Sequence, residues 1–419
     1  MIFLATQTTI ITFSIIIFLV VTLLLVGMLL YAKSKLSPSG AVKVKINNGE
    51  IEFEGASGST LLDNLQSQKI FLPSACGGKG SCGMCRCQVE DGGGSILPTE
   101  TGFFSRKEQN EHWRLACQVK VKEDISLELE PAVLGIKKWD CTVVSNNNVA
   151  TFIKEFVVKL PEGEHLNFRS GGYIQIDVPK IDVDFKDIEV GEKWRGEWEQ
   201  FGMFELKMKN PEPTYRAYSM ANHPAEGNIV MLNIRIATPA WDRVAGRFQN
   251  VNPGICSSYI FSRKPGDKVT ISGPYGEFFI KDTQREMMFI GGGAGMAPMR
   301  SHIFHLFQTA KTGRKVTFWY GARSRKEIFY EEQFRAIEKE FPNFTFTIAL
   351  SEPHADDKWD GPVGFIHQVI QDNYLVKHEE PEDIEYYLCG PPMMNAAITK
   401  MLDNLGVPKE MVAFDDFGS

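Results

Sequence analysis

Four cysteines pose the first chemical question. Cys76, Cys82 and Cys85 stand in the stretch Cys76-Gly77-Gly78-Lys79-Gly80-Ser81-Cys82-Gly83-Met84-Cys85, a C-x5-C-x2-C spacing, and Cys117 follows farther along. Four thiolates complete the tetrahedra of two irons, and cysteine is the usual ligand of a [2Fe–2S] centre. Glycines between them let backbone N–H groups turn toward an anionic sulfide. A zinc site more often shows two separate C-x2-C pairs, which this stretch lacks. The chain has 8 cysteines in 419 residues, too few for a disulfide framework, and their crowding between Cys76 and Cys117 favours metal ligation. Cys87 also lies there, but Arg86-Cys87-Gln88-Val89-Glu90 alternates like a strand. Its side chain is expected to point into the core as a small hydrophobe, outside the ligand set.

Phosphate-binding chemistry recurs twice downstream. Met287-Met288-Phe289-Ile290 reads as a buried strand and runs into Gly291-Gly292-Gly293-Ala294-Gly295-Met296-Ala297-Pro298-Met299-Arg300, followed by a helical pattern through Ile303, Leu306 and Phe307. Strand, glycine turn and helix together aim backbone N–H groups and a helix dipole at a pyrophosphate. The glycine spacing differs from G-x-G-x-x-G, and Gly291, Gly292, Gly293, Gly295 and Met296 are the candidate contacts. Further strands are expected over 316–320, 344–349 and 386–389, the last ending in Cys389-Gly390-Pro391-Pro392-Met393-Met394. Upstream, Arg216-Ala217-Tyr218-Ser219-Met220 and Gly254-Ile255-Cys256-Ser257-Ser258-Tyr259 offer an arginine fork suited to phosphate and two serines.

The elements that must position these groups form four successive regions. Residues 1–35 read as a transmembrane anchor: no charge occurs in the first 32 residues, and Ile10 to Tyr31 is almost wholly apolar. At ~1.5 Å per residue such a run spans a ~30 Å hydrocarbon core. A cleaved signal peptide would show a basic start and a small-residue cleavage site, and neither is present. Lys33 and Lys35 follow the span, which places the body of the protein in the cytoplasm. After a Ser-Pro-Ser-Gly linker (Ser37 to Gly40), residues 41–133 alternate as strands, with a short helix at Thr60 to Leu65, around the cysteine loop. Residues 137–281 show short strands with turns and no long helical period, so an antiparallel barrel is expected. Within it, about 181–213 reads as an insertion carrying Trp194, Trp198 and Phe201, either a docking surface or a solvated hairpin. Residues 284–419 alternate strand and helix, an α/β nucleotide-binding pattern. A formal charge of -7 gives no basic footprint for nucleic acid.

These motifs resemble known families. The cysteine loop resembles ferredoxins of the plant and vertebrate type, its five-residue first gap being nearer the adrenodoxin-like pattern. The two central segments and the glycine loop with Ala297-Pro298 resemble the ferredoxin–NADP reductase superfamily. That resemblance implies that Arg216 pairs with an FAD pyrophosphate, Tyr218 stacks on the isoalloxazine and Ser219 reaches its N5 region. It likewise assigns Met220 and Gly254 to the flavin site, with Ser257 and Ser258 on phosphate. Cys389, Gly390 and Pro391 would lie beside the nicotinamide, and Phe417 in the ending Phe414-Asp415-Asp416-Phe417-Gly418-Ser419 would cover the flavin face. Arg323 and Arg325 would suit a 2′-phosphate, whereas Glu327, Glu331 and Glu332 would suit a free ribose diol.

Over its whole length the chain resembles the F subunits of sodium-translocating NADH:quinone oxidoreductases. The resemblance implies a multidomain protein: an anchor helix, a β-grasp ferredoxin-like domain, a β-barrel FAD domain and a Rossmann-like NAD domain. It implies electron input to a respiratory complex of the cell inner membrane, from NADH by hydride transfer to FAD, singly to a [2Fe–2S] cluster, then through partner subunits to quinone, coupled to Na⁺ export. Flavin belongs between the two because it exchanges electrons both in pairs and singly. The alternatives are a reductase component of a multicomponent oxygenase and a non-catalytic anchored iron–sulfur carrier. A lone span with no ionisable residue is not an ion path.

Overall fold

A long, mostly apolar run makes the first element. In the computed structural model, which describes residues 2–36, 40–242 and 244–415, α1 covers Ile2–Leu36. Its segment Thr12–Leu29 has a mean hydropathy of 2.8 with no residue buried, long and apolar enough to cross a membrane. The linker residues 37–39 and Phe417 lie outside the described residues. The chain divides into two compact units, Met1–Leu72 with Gly83–Leu134, and Pro73–Cys82 with Gly135–Ser419.

In the first unit the alternation seen in the sequence becomes a half-buried sheet. Strands β1 (Ala41–Ile46), β2 (Ile51–Ala56), β3 (Arg86–Asp91), β4 (Trp113–Leu115) and β5 (Ile125–Glu128) lie in the order β2-β1-β5-β3-β4. Val42, Val44 and Ile46 of β1 point inward while Lys43 and Lys45 face water. Helix α2 (Leu61–Ser67) starts where the Thr60 hydroxyl accepts the Asp63 N–H at 3.1 Å, and it buries Leu61, Leu62 and Leu65 against the sheet. Short helices α3 (Arg106–Asn110) and α4 (Pro131–Leu134) complete the unit. A buried ion pair ties its connections together: Arg114 Nη2 meets Glu100 Oε2 at 2.8 Å, Glu100 also accepts the Leu115 N–H, and Arg114 Nη1 donates to the Gly93 and Gly94 carbonyls. Every charge there is matched, as a buried carboxylate requires.

The second unit holds a barrel and an α/β lobe. Barrel strands β6 (Lys137–Ala150), β7 (Ile153–Lys159), β8 (Tyr173–Val178), β11 (Thr214–Ser219), β12 (Ile229–Arg235) and β15 (Lys268–Tyr275) run in the order β11-β8-β15-β6-β7-β12, every pair antiparallel. A Met220–Leu232 bridge joins the two edge strands. Between β8 and β11 sits the insertion: β9 (Ile181–Asp184), α5 (Glu192–Gln200) and β10 (Lys207–Asn210). It is not a solvated hairpin, because Trp198 is fully buried beside Phe185 and Phe261 and donates Nε1–H to the Thr151 carbonyl at 2.7 Å. A small hairpin, β13 (Trp241–Asp242) with β14 (Arg247–Phe248), precedes α6 (Ile255–Phe261).

The α/β lobe is a parallel sheet of β16 (Met287–Gly292), β17 (Val316–Ala322), β18 (Phe344–Leu350), β19 (Glu385–Cys389) and β20 (Val412–Phe414), ordered β18-β17-β16-β19-β20. Helices α7 (Met296–Phe304), α8 (Glu331–Glu340), α9 (Ile366–Asn373) and α10 (Pro392–Asn404) connect them. All six residues of β16 are buried, as an inner parallel strand covered on both faces must be. Ligands of such sheets sit outside the carboxyl ends of the strands, where the order reverses.

Candidate functional site

The loop Pro73–Cys82 belongs to the second unit and carries Cys76 and Cys82. The Cys82 thiol donates to Cys76 Sγ at 3.4 Å. That contact first, and then the backbone N–H groups of Ser81, Cys82 and Lys79, hold the Cys76 thiol down to about 3 against its partial burial. A sulfur ringed by N–H donors is a site built for a thiolate, and the left-handed backbone at Gly77, Gly78 and Gly80 is what turns those N–H groups inward. A Cβ at Gly77 would lie 2.6 Å from Arg216 Nη1 and 2.9 Å from the Tyr215 carbonyl, so only glycine lets this loop rest on β11. In the first unit Cys85 and Cys117 are both buried, and the Cys85 carbonyl accepts the Ala116 N–H at 2.8 Å. Among the described residues no three His, Cys, Asp or Glu side chains are gathered as a metal site. The donor set itself, thiols with an N–H-lined loop, suits an iron–sulfur centre. Cys87 is 1% exposed and burial pushes its thiol up to about 12, the behaviour of a core residue.

On β11 the predicted flavin contacts follow one another along a single strand. Arg216 turns Nη1 back onto the Tyr215 carbonyl at 2.7 Å and Thr214 Oγ1 at 3.3 Å, while its Nε and Nη2 carry three further N–H donors suited to a phosphate. Burial raises the Tyr218 phenol well above its ordinary value, so it stays neutral. Ser219 and Met220 are buried at the strand end. Gly254 caps α6 at close quarters, since a Cβ there would come within 2.5 Å of Ala237 Cβ. Ser257 accepts the Ala237 N–H at 3.0 Å and Ser258 Oγ donates to the Gly254 carbonyl at 2.7 Å. Both hydroxyls thus shape the turn from within the chain.

The nucleotide loop and the Cys389 segment meet directly. Gly291 pairs with Cys389 in the parallel register of β16 and β19. A Cβ at Gly295 would stand 2.0 Å from the Cys389 carbonyl oxygen, so the start of α7 abuts this strand end only because residue 295 has no side chain. Cys389 is fully buried. The C-terminal strand β20 pairs with β19, and the Asp415 N–H continues the ladder onto the Leu388 carbonyl at 3.0 Å. Asp415 then accepts the Ser219 hydroxyl at 2.5 Å. One residue therefore joins the end of β11, through its carboxylate, to the end of β19, through its backbone N–H.

Sequence reasoning misses this use of Asp415, since its segment stands out only for the aromatic Phe417. It also misses the seam that fixes the lobe on the barrel. Arg300, the last residue of the glycine segment, grips Glu226 at 2.7 Å and 2.8 Å and donates to the Ala221 carbonyl at 2.9 Å. Burial works to raise the Glu226 carboxyl, but His223 and Arg300 prevail and hold it at about 2. Ser301 Oγ donates to the Asn222 carbonyl, and Tyr330 bridges Glu155 and Asn233.

Comparison with known proteins reads the same modules. Residues 44–122 match a 2Fe-2S iron-sulfur cluster binding domain, 199–280 an oxidoreductase FAD-binding domain and 289–400 an oxidoreductase NAD-binding domain. Among the relatives are F subunits of Na(+)-translocating NADH-quinone reductases. That of Idiomarina loihiensis is 54% identical over 402 residues, 96% of this chain and 97% of that protein. Its namesake in Serratia proteamaculans is 53% identical over 400 residues, 95% of this chain and 97% of that one. Among solved structures, an Amycolatopsis cytochrome P450 reductase aligns at a TM-score of 0.59 with 22% identity over 90% of this chain and 98% of that chain. The ferredoxin reductase in carbazole 1,9a-dioxygenase aligns at 0.58 with 24% identity over 90% and 99%. At these identities the two structures speak to the fold alone.

Proposed function

Because the chain belongs to the family of Na(+)-translocating NADH-quinone reductase F subunits, we propose that it is the electron-input subunit of such a complex. In this reading it oxidises NADH and passes electrons through partner subunits to quinone, coupled to Na⁺ export. When bound, FAD accepts the nicotinamide's electron pair and a [2Fe–2S] centre takes electrons onward one at a time. The protein's own contribution is position and charge. Arg216 would hold the flavin's phosphates together with the segment of Gly254, Ser257 and Ser258, whose two hydroxyls shape that turn, while Tyr218, Ser219 and Met220 would face its ring system. Gly291, Gly292, Gly293, Gly295 and Met296 hold the dinucleotide's pyrophosphate at the start of α7. Cys389, Gly390 and Pro391 would seat the nicotinamide, and Phe417, outside the described residues, would be the aromatic that covers the flavin face. Cys76, Cys82, Cys85 and Cys117 ligate the cluster.

The observation that carries the reading is the Ser219–Asp415–Leu388 connection, which joins the ends of β11 and β19, the strands this reading gives to flavin and to nicotinamide. The apolar α1 supports anchorage in the inner membrane, and Lys33 and Lys35 after it support a cytoplasmic body. An oxygenase reductase shares the modules, but the full-length relatives favour the pump component.

The test is addition of NADH to the purified, cofactor-loaded chain. The flavin's visible absorption should bleach, and the EPR signal of a reduced [2Fe–2S] centre should appear. If neither occurs with cofactors intact, the reading fails. Deleting residues 1–32 should abolish quinone reduction in the reconstituted complex while sparing NADH-driven reduction of an artificial acceptor.

A further inference from the structure

The loops beyond β17 and β18 place carboxylates against their cations. The strands stay in register past their ends, with Ser351 N–H on the Ala322 carbonyl at 2.9 Å and Glu352 N–H on the Arg323 carbonyl at 2.8 Å. Across this extension Arg323 Nη2 meets Glu352 Oε2 at 2.8 Å. Asp357 accepts the Arg325 backbone N–H at 3.1 Å, a main-chain contact that leaves the guanidinium out. Lys326 pairs with Glu197, which comes from α5 of the barrel insertion. A cavity of about 570 Å³ borders Lys326; its charged lining sets Lys193, Arg325 and Lys326 against Glu331, Glu332, Asp356 and Asp357, with Glu197 and the Arg323–Glu352 pair outside that lining.

Its place in the fold gives this arrangement a meaning. The loop after the second strand of a dinucleotide-binding sheet meets the adenosine ribose, and its charge distinguishes a free 2′-hydroxyl from a 2′-phosphate. We propose that Glu197 and Glu352 are specificity residues: by engaging Lys326 and Arg323 they withhold both cations from a 2′-phosphate, so the lobe selects NADH over NADPH. The barrel insertion thereby reaches into the nucleotide lobe as a determinant of substrate choice. This rests on the reading of the lobe as a nicotinamide dinucleotide site. A 2′-phosphate would bring nearly two negative charges into a site already rich in carboxylates, and like charges brought together are strongly disfavoured. The Arg323–Glu352 pair is 72% and 63% exposed, so it adds little to folding and its loss leaves the scaffold intact.

The experiment uses the full chain loaded with its cofactors and two probes, 5′-AMP and 2′,5′-ADP, titrated by calorimetry. Wild type should bind 5′-AMP the more tightly. Glu197→Gln with Glu352→Gln should tighten 2′,5′-ADP binding by about tenfold while 5′-AMP stays within about twofold, and the NADPH to NADH ratio of kcat/KM should rise in step. Glu352→Gln alone carries a share of the shift if Glu197→Gln disturbs the insertion. Adding Lys326→Gln to Glu197→Gln should cancel the Glu197 share, an effect that general loosening would not give. A ratio of the two probes unchanged in every variant, with 5′-AMP still bound, overturns the assignment. If neither 5′-AMP nor NADH binds wild type, the nucleotide-site reading falls, and this one with it.

Discussion

Ser219 Oγ donates to Asp415 Oδ2 at 2.5 Å across 196 positions of sequence. Asp415 is the last described residue, and its backbone is fastened to Leu388, next to Cys389. The contact ties the serine at the end of β11 to the residue that follows β20.

If Ser219 orients the flavin edge where the nicotinamide delivers its electrons, Ser219→Ala should slow flavin reduction by about a hundredfold, with KM for NADH changed little. Asp415→Asn keeps an acceptor for the hydroxyl and should cost less. Stopped-flow bleaching of the flavin separates the two, and equal losses in both variants would contradict the ordering.

Removing one of the proposed cluster ligands should split the two halves of the proposed electron path. Cys76→Ala or Cys82→Ala should erase the EPR signal of the reduced centre yet leave NADH bleaching of the flavin intact. Cys87→Ala should keep the signal and cost only about 1 kcal/mol from a small cavity. The buried, protonated Cys87 thiol is the reason for the contrast.

Gly295→Ala tests the close approach of α7 to Cys389. The added Cβ would fall 2.0 Å from the Cys389 oxygen, so the loop must shift. Such overpacking costs roughly 1–3 kcal/mol. Flavin content should be unchanged, and KM for NADH should rise about tenfold or more, read from steady-state kinetics.

A pH effect on stability follows from His302. It is fully buried on α7, packed at 5.2 Å against Phe278 and close to Tyr387. Burial pushes the imidazole from 6.5 down to about 3; His305 and Arg169 add to this and the Phe278 backbone opposes it. The folded value lies below the unfolded one, so the unfolded chain takes up the proton first. Stability from this residue is therefore complete above pH 6.5 and is lost as the pH falls toward 3, by about 1.4 kcal/mol per pH unit. His302→Leu should flatten that slope in denaturant titrations, and an unchanged slope would assign it to other groups.

What the sequence made legible were features written in local pattern. The cysteine loop, the glycine turn after a buried strand, and Cys389-Gly390-Pro391 at a strand end each need only neighbours in the chain to be read. The longest barrel strand, β6, is hidden because Asn146-Asn147-Asn148 and two register shifts break its alternation. The insertion looks aperiodic because its anchoring residue, Trp198, is buried by tertiary packing and not by a repeating stripe. Arg300 with Glu226, and Ser219 with Asp415, are contacts between distant segments, and no spacing rule announces such pairs.

Helix α1 is apolar on every side through its central segment, without a polar or small-residue stripe to mark a preferred neighbour. A span of that kind carries no address. Set in a membrane it would fix only the plane in which the chain works, and the choice of which neighbour to meet would fall to the folded domains.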